Sequence, residues 1–484
     1  MTDKAEVFVD INVRSPLSKG IYGQFIEHLG KCIYGGVWVG KQSQIPNVKG
    51  YRKDVLEAVK ALHPPLVRWP GGNFASGYHW LEGVGGDRPK KFDMAWGAEE
   101  PNEFGTDEFM EWVRMIGAEP FITVNAGNGS PEEAANWVEY CNSSKSTKYA
   151  DLRRKNGHPE PYNVKYWSIG NELWGSWQIG HCLSAEECAR RTVEFASEMR
   201  MVDRNIKIVG VGGDAWWRGT GDLEWDQEVV KTAGNYIDYL SVHRYINPSS
   251  YEDLMAAPQG IEEMLRAKSA AIQFARTKYE IKRDIGISFD EWNVWYPVAK
   301  PPLHDQGTSV ADGVFTGDTL IVLERLSKLV PIATFAQTVN VLPLVVTRDD
   351  GRMYVNPQYL VFKIFTENAG NTALATDVIS PRFYSKELDS WVEYVDASAT
   401  ESGSTIYLHV VNKNKDEPLE LTVHLNRENN SATHLVVSGE SENDRNDFDE
   451  PNRVKVEDVK DMRLENQTAR VTLRPHSANV IMLS

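Results

Sequence analysis

Residues 164–172 read VKYWSIGNE. The run is short, largely apolar and rich in β-branched and aromatic residues, the composition of a strand. Parallel strands, covered on both faces, read as apolar runs of this kind. The run ends at Asn171 and Glu172, and a carboxylate in apolar company is costly unless it is paired or protonated. The same form recurs seven times: KGIYGQFIEH from Lys19, PLVRWPGG from Pro65, PFITVNAG from Pro120, KIVGVGGD from Lys207, YLSVHRY from Tyr239, GISFDEW from Gly286 and VPIATFAQTV from Val330. Helix-like stretches fall between most of them, among them TDEFMEWVRMIG from Thr106, SPEEAANWVEYC from Ser130, SAEECARRTVEFASEMRMV from Ser184 and IEEMLRAKSAAIQFARTKY from Ile261. Two of these open on serine with glutamate two or three residues later, an N-cap pattern. Eight strand–helix units predict a (β/α)8 TIM barrel.

Beyond about Gly370 the helical period fades and strict alternation replaces it, as in STIYLHVVN, PLELTVHLN and ARVTLRP. This predicts a C-terminal antiparallel β-sandwich of jelly-roll type over residues 371–484. The N-terminal AEVFVDINV alternates in the same way, so residues 1–16 are assigned to that sandwich and 17–370 to the catalytic barrel. The acidic run at 440–450 reads as a solvated loop,.

The 484 residues are 41% hydrophobic and carry a net charge of -16. That mass supports a large core, and the charge disfavours nucleic acid and anionic membranes as partners. The N-terminus lacks the pattern of a secretory signal, and no run is long and apolar enough to span a bilayer. Four scattered cysteines fit reduced thiols, and a cytoplasmic location is expected,.

In a barrel of this kind the reacting groups stand at the C-terminal strand ends. Those ends here carry Gln24, Glu27 and His28; Arg68 to Asn73; Asn125; Asn171 and Glu172; His243 and Tyr245; Glu291; and Gln337. No lysine, phosphate loop or serine–histidine pair stands among them, and no zinc-ligand spacing such as HExxH or CxxC occurs,. No metal or cofactor is expected. Two carboxylates on separate strands are what glycoside hydrolysis needs, one to donate a proton and one to attack the anomeric carbon. Glu172 and Glu291, on strands four and seven, form the best pair across the barrel mouth. His243 and Tyr245 are two apart and share a face, so Tyr245 can reach Glu291. Asp290 alternates to the other face and reads as structural. The glycines of PGGN read as a tight turn that brings Asn73 to the mouth.

Six stretches in order, GQFIEHLGKCIYGG, VRWPGGNF, NEFGTDEF, VKYWSIGNELWGSWQIGH, DEWNVWY and FAQTVNVL, resemble the α-L-arabinofuranosidases of glycoside hydrolase family 51. That family lies in the clan of barrels whose acid and nucleophile follow strands four and seven. The resemblance implies that Glu172 is the acid/base and Glu291 the nucleophile of a retaining, exo-acting enzyme. It implies contacts with the arabinose or with the catalytic pair at Glu27, Asn73, Asn171, Tyr245 and Gln337, and aromatic positions around the sugar at Trp96 and Trp177. It also implies a homo-oligomer, a hexamer or other, acting on arabinofuranosyl oligosaccharides from arabinan or arabinoxylan. A β-xylosidase or endo-β-glucanase on the same frame, and a carbohydrate-binding protein without turnover, are the alternatives.

Overall fold

The computed structural model describes residues 4–215, 221–300 and 304–484. Strand β1 (Lys4–Pro16) is followed by eight parallel strands: β2 (Gly23–Phe25), β3 (Leu66–Trp69), β4 (Glu119–Val124), β5 (Tyr166–Ile169), β6 (Lys207–Val211), β7 (Tyr239–Ile246), β8 (Gly286–Val294) and β9 (Ile332–Phe335). They form a closed barrel, as the strand–helix alternation predicts, and β9 closes on β2 through Thr334↔Gly23 and Phe335↔Gln24. Their residues are buried almost throughout because the barrel's interior packing covers one face and the helices cover the other,. Leu66, Phe121, Val209 and Ile332 cluster at the strand starts with Tyr166 and Tyr239 against them. Each such buried side chain contributes about 1.5–3 kcal/mol. This layer fills the bottom of the barrel and leaves the opposite mouth for chemistry.

The helices follow from their caps. Ser130 and Ser184 each accept a backbone N–H three residues on, from Glu133 at 3.1 Å and Glu187 at 3.2 Å, at the starts of Pro131–Asn142 and Ala185–Val202,. One helix departs from the sequence reading. It begins at Tyr251 rather than Ile261 and runs to Lys278. Pro258 and Gly260 mask its first turns in the sequence, but Ser250 caps it by accepting the Asp253 N–H at 3.1 Å.

The C-terminal strands build one ten-stranded sheet, curled on itself around Val7, Leu408, Leu421, Val471 and Ile481. β1 lies inside it, antiparallel to Thr372–Ile379 and parallel to Leu419–Leu425. The helix Val310–Arg325 is buried on every side between barrel and sheet, so one apolar core runs from the barrel into Val411, Val437 and Val480. The acidic run is more than a solvated loop. Its Asp444 and Glu442 carbonyls accept the Val310 and Ala311 N–H groups, both at 2.9 Å, and so satisfy donors that a buried helix start would otherwise orphan,.

Candidate active site

The ends of β2, β3, β5, β7, β8 and β9 surround a cavity of about 420 Å³, counting the part open to solvent. Glu27, Asn73, Trp96, Glu172, Trp177, Tyr245, Glu291 and Gln337 all border it. A carboxylate oxygen of Glu172, one of Glu291 and a ring nitrogen of His243 lie within 4.8 Å of one another. Both glutamates are buried, at 4% and 6% exposure. Glu172 has a left-handed backbone, φ 41°, a conformation that costs a non-glycine residue about 1–2 kcal/mol,.

Each oxygen of Glu291 has a donor. Arg68 Nη1 donates to Oε1 at 2.6 Å and the Tyr245 hydroxyl to Oε2 at 2.8 Å. That is the solvation a buried carboxylate needs. A second Arg68 nitrogen, Nη2, donates to Asn171 Oδ1 at 2.7 Å, so one fully buried guanidinium ties the ends of β3, β5 and β8 together. Asn171 Nδ2 reaches Asn73 Oδ1 at 3.4 Å, and Gln178 donates to the same oxygen. Glu172 Oε1 accepts from His243 Nδ1 at 2.8 Å. Asn171 and His243 thus stand behind the cavity wall and position groups that line it.

Asp290 does not turn away as alternation predicts. Its Oδ1 lies 3.2 Å from His243 Nε2 and accepts from Ser241 Oγ at 2.6 Å. The register between β7 and β8 shifts between Ser241 and His243, a bulge that brings consecutive residues of β8 to one cluster,. Glu27 accepts from the Phe74 N–H at 3.1 Å, Trp96 Nε1 at 3.1 Å and Gln337 Nε2 at 3.0 Å. The paired glycines before Asn73 serve close approach. A Cβ on Gly71 would stand 2.6 Å from Glu27 Cγ, and one on Gly72 2.9 Å from Glu291 Oε1.

The electrostatics follow from a charge count. Glu27, Glu172, Asp290 and Glu291 are buried around two cations, Arg68 and His243. Four carboxyls around two cations in a buried site make full ionisation costly, so burial favours the neutral form of some of them. Burial, with the charge of Glu291, raises Glu27 to about 7. Burial also raises Glu172, against the pull of His243. Burial opposes the His243 charge, but Glu291, Asp290 and Glu172 outweigh it and push the imidazolium up to about 10. Burial would raise Asp290 too, yet Arg68, His243 and Ser241 hold it below the usual carboxylate range. Glu172, His243 and Glu291 are also the donor set of a conceivable cation site. A metal there would have to displace the proton that His243 keeps at neutral pH,.

Two strand-end residues singled out above serve elsewhere. Asn125 Oδ1 accepts the N–H groups of Gly127, Asn128 and Gly129, each at 3.1 Å, and so shapes its own loop. Gln24 accepts from Thr338 at 3.0 Å. Trp174 makes an edge contact with Trp177 at 5.2 Å, and Trp177 is 51% exposed at the rim. Sequence reasoning passed over Trp295, which borders the cavity and packs edge-on against Tyr245 at 5.2 Å. It also left out the bracing roles of Arg68, Ser241 and Gln178. A buried arginine at a strand end was the available signal, because such a charge requires carboxylate partners.

Two family profiles match the chain. One, the Alpha-L-arabinofuranosidase 1 domain, covers residues 58–259, and the other, the Alpha-L-arabinofuranosidase C-terminal domain, covers residues 290–477. The probable α-L-arabinofuranosidase C of Aspergillus clavatus is 36% identical over 433 residues, 84% of each chain. The intracellular exo-α-(1→5)-L-arabinofuranosidase of Halalkalibacterium halodurans is 35% identical over 439 residues, 87% of each chain. The solved structure of the GH51 α-L-arabinofuranosidase from Thermotoga petrophila superposes with a TM-score of 0.91 at 38% identity, covering 99% of this chain and 100% of that one. Similarity of this degree over most of the length settles kinship: the protein belongs to the α-L-arabinofuranosidases of glycoside hydrolase family 51.

Proposed function

We propose that the protein is an exo-acting, retaining glycoside hydrolase that releases terminal non-reducing α-L-arabinofuranosyl residues from arabinan- or arabinoxylan-derived oligosaccharides. One observation carries the mechanism: two buried carboxylates face the same cavity with oxygens within 4.8 Å. Double displacement calls for roughly 5–5.5 Å between the carboxyl groups, and inversion for roughly 6.5–9.5 Å to admit a water. The short spacing supports retention.

In the first step Glu291 attacks the anomeric carbon while Glu172 gives its proton to the departing oxygen. In the second, Glu172 takes a proton from water as that water releases the sugar from Glu291. Arg68 and Tyr245 steady the attacking carboxylate. Burial raises Glu172 and so favours the protonated form that donates to the leaving oxygen,. His243 then supports the glutamate charge that forms as the proton departs. Glu27, Asn73, Trp96, Trp177 and Gln337 border the sugar and bind it, with Asn171 holding Asn73 from behind.

We read residues 17–370 as the catalytic unit, and 1–16 with 371–484 as the sandwich. A cytoplasmic homo-oligomer acting on imported oligosaccharides is the proposed setting, and the relative named intracellular supports the location. The deciding experiment follows the anomeric proton by NMR during cleavage of an aryl α-L-arabinofuranoside. Retention with loss of turnover in Glu291→Ala is expected, and a product of inverted configuration would overturn the mechanism.

A further inference from the structure

The four cysteines are of two kinds. Cys32 and Cys141 are fully buried, and burial pushes the Cys32 thiol up to about 12 and raises Cys141 as well. Such thiols keep their protons at neutral pH and are inert. Cys182 and Cys188 differ, because their side chains are hydrogen-bonded to each other. That bond lowers Cys182 from its ordinary value against the effect of burial, and the Arg191 guanidinium adds to it. The same bond, with burial, raises Cys188. One sulfur is thus disposed to attack and the other to hold its proton, the division of labour of a redox-active dithiol. Arg191 is fixed beside the pair: Nη1 donates to the carbonyls of Ala126, at 2.9 Å, and Gly180, and Nη2 to Glu187 Oε1 at 3.0 Å. Cys182 is 3% exposed and is followed by Leu183 at 86%, so the pair lies just beneath the surface.

The pair is wired to the catalytic acid. Cys182 ends the loop that follows Glu172, and its N–H donates to the Leu173 carbonyl at 2.7 Å, tying the two ends of that loop together. Leu173 is fully buried and adjoins Glu172, whose left-handed backbone its surroundings must hold in place,. Cys188 is anchored in the helix Ala185–Val202. Its N–H donates to the Ser184 carbonyl at 3.1 Å, and its carbonyl accepts the Thr192 hydroxyl at 2.9 Å. A disulfide needs its sulfurs about 2.05 Å apart, well inside hydrogen-bond contact. Drawing them together therefore moves Cys182 rather than the helix, and Cys182 moves Leu173 and Glu172 with it.

We propose that Cys182 and Cys188 are a redox-modification site, at which a hydroperoxide joins the two sulfurs in a disulfide that slows catalysis by shifting Glu172. The proposal rests on the hydrolase reading above and adds regulation to it. The Cys182 thiolate attacks one oxygen of the hydroperoxide. The O–O bond breaks, the other oxygen leaves with a proton as water or an alcohol, and Cys182 becomes a sulfenic acid. The Cys188 sulfur then attacks the Cys182 sulfur. The S–O bond breaks, and hydroxide leaves with the Cys188 proton as water. The two sulfurs lose two electrons and the hydroperoxide gains them. A small dithiol reverses the change by exchange.

The test treats the full-length protein with hydrogen peroxide and compares it with the reduced protein. Peptide mass mapping after alkylation should find Cys182 and Cys188 cross-linked, with Cys32 and Cys141 still alkylated. The kcat on an α-L-arabino-oligosaccharide should fall about tenfold with KM little changed, because misplacing a reacting group by about 1 Å can cost about 10²-fold. Pre-steady-state phenol release from an activated aryl arabinofuranoside, which needs the acid least, should fall less. Dithiothreitol should restore both rates. Cys182→Ser and Cys188→Ala, each compared with its own untreated rate, should be unaffected by peroxide. Absence of the cross-link overturns the proposal, and so does a cross-link that leaves the rates unchanged. An equal peroxide loss in both variants overturns it, as do equal losses on poor and activated leaving groups, which would remove Glu172 from the path. Failure of the reduced protein to cleave the aryl arabinofuranoside would instead defeat the hydrolase reading.

Discussion

Two buried glutamates in this molecule each take a histidine Nδ1, and their carboxyls are shifted in opposite directions. Glu324, on the helix between barrel and sheet, binds His409 at 2.6 Å. Glu172, at the mouth, binds His243 at 2.8 Å. All four side chains are at most 5% exposed. Burial raises both acids, but Glu324 ends below its ordinary range and Glu172 above it. The difference lies in the company. Glu324 also accepts the hydroxyls of Tyr22, at 2.6 Å, and Ser398. Glu172 instead faces Glu291, and its histidine is shared with Asp290. A histidine beside a carboxylate thus makes a structural ion pair when the donors are complete. It makes a poised acid when a second negative charge competes for the same cation.

Removing the competitor should have the largest effect. Glu291→Ala is expected to lower turnover of an aryl arabinofuranoside on the order of 10⁴-fold. It should also move the Glu172 pKa downward, read by NMR titration of the carboxyl. A Glu172 titration unmoved by that substitution would break the comparison.

Removing the poised acid should split substrates by leaving group. Glu172→Ala should lose roughly 10²–10⁴-fold on oligosaccharides with poor leaving groups. Far less should be lost in the first step with an activated aryl group, where pre-steady-state release of the phenol is the measurement. Equal losses on both would remove Glu172 from the acid role.

The balanced pair should behave oppositely. Glu324→Gln strands the buried His409 beside an amide, and chemical denaturation should show a loss of about 3 kcal/mol. Its kcat should stay within about twofold of the unaltered protein. A large kinetic effect would mean that the two pairs are not separable.

Glu27 sharpens the contrast with the smallest effect. Its hydrogen-bond donors are a backbone N–H, an indole and an amide, and it is raised from 4.5 to about 7. Below pH 7 the folded chain keeps a proton that the unfolded chain has lost above pH 4.5. Stability from this group is therefore full below 4.5 and lost as pH rises through 7. Between pH 5 and 7 the loss is about 2 kcal/mol. Denaturation of Glu27→Gln at the two pH values should lack that slope.

Particular residues show how much of this was legible. Val164 to Ile169 announce a buried strand by composition, and the seven similar runs with capped helices between them leave little but a barrel. The placement of Glu172 and Glu291 at strand ends needs only the order of strands and the rule that chemistry sits at the C-terminal mouth. Asp290 was misread because alternation assumes an unbroken ladder, and the bulge opposite Ser241 and His243 breaks it. Tyr251 was missed as a helix start because local propensity weighs Pro258 and Gly260 heavily, whereas the folded helix gains its cap at Ser250 and its packing partner at Leu388. The glycines at 71 and 72 were legible as special but not in their reason, since the atoms they avoid come from β2 and β8.

The sequence alone determined the barrel, the sheet that follows it and the identity of two opposed glutamates, because hydrophobic periodicity and strand order are local properties of a chain. Only the tertiary structure decided which way the buried carboxyls shift. That depends on Arg68, His243, Asp290 and Glu27, contributed by four different strands to one buried cluster, and a charge count cannot be taken until the fold has chosen which charges share it.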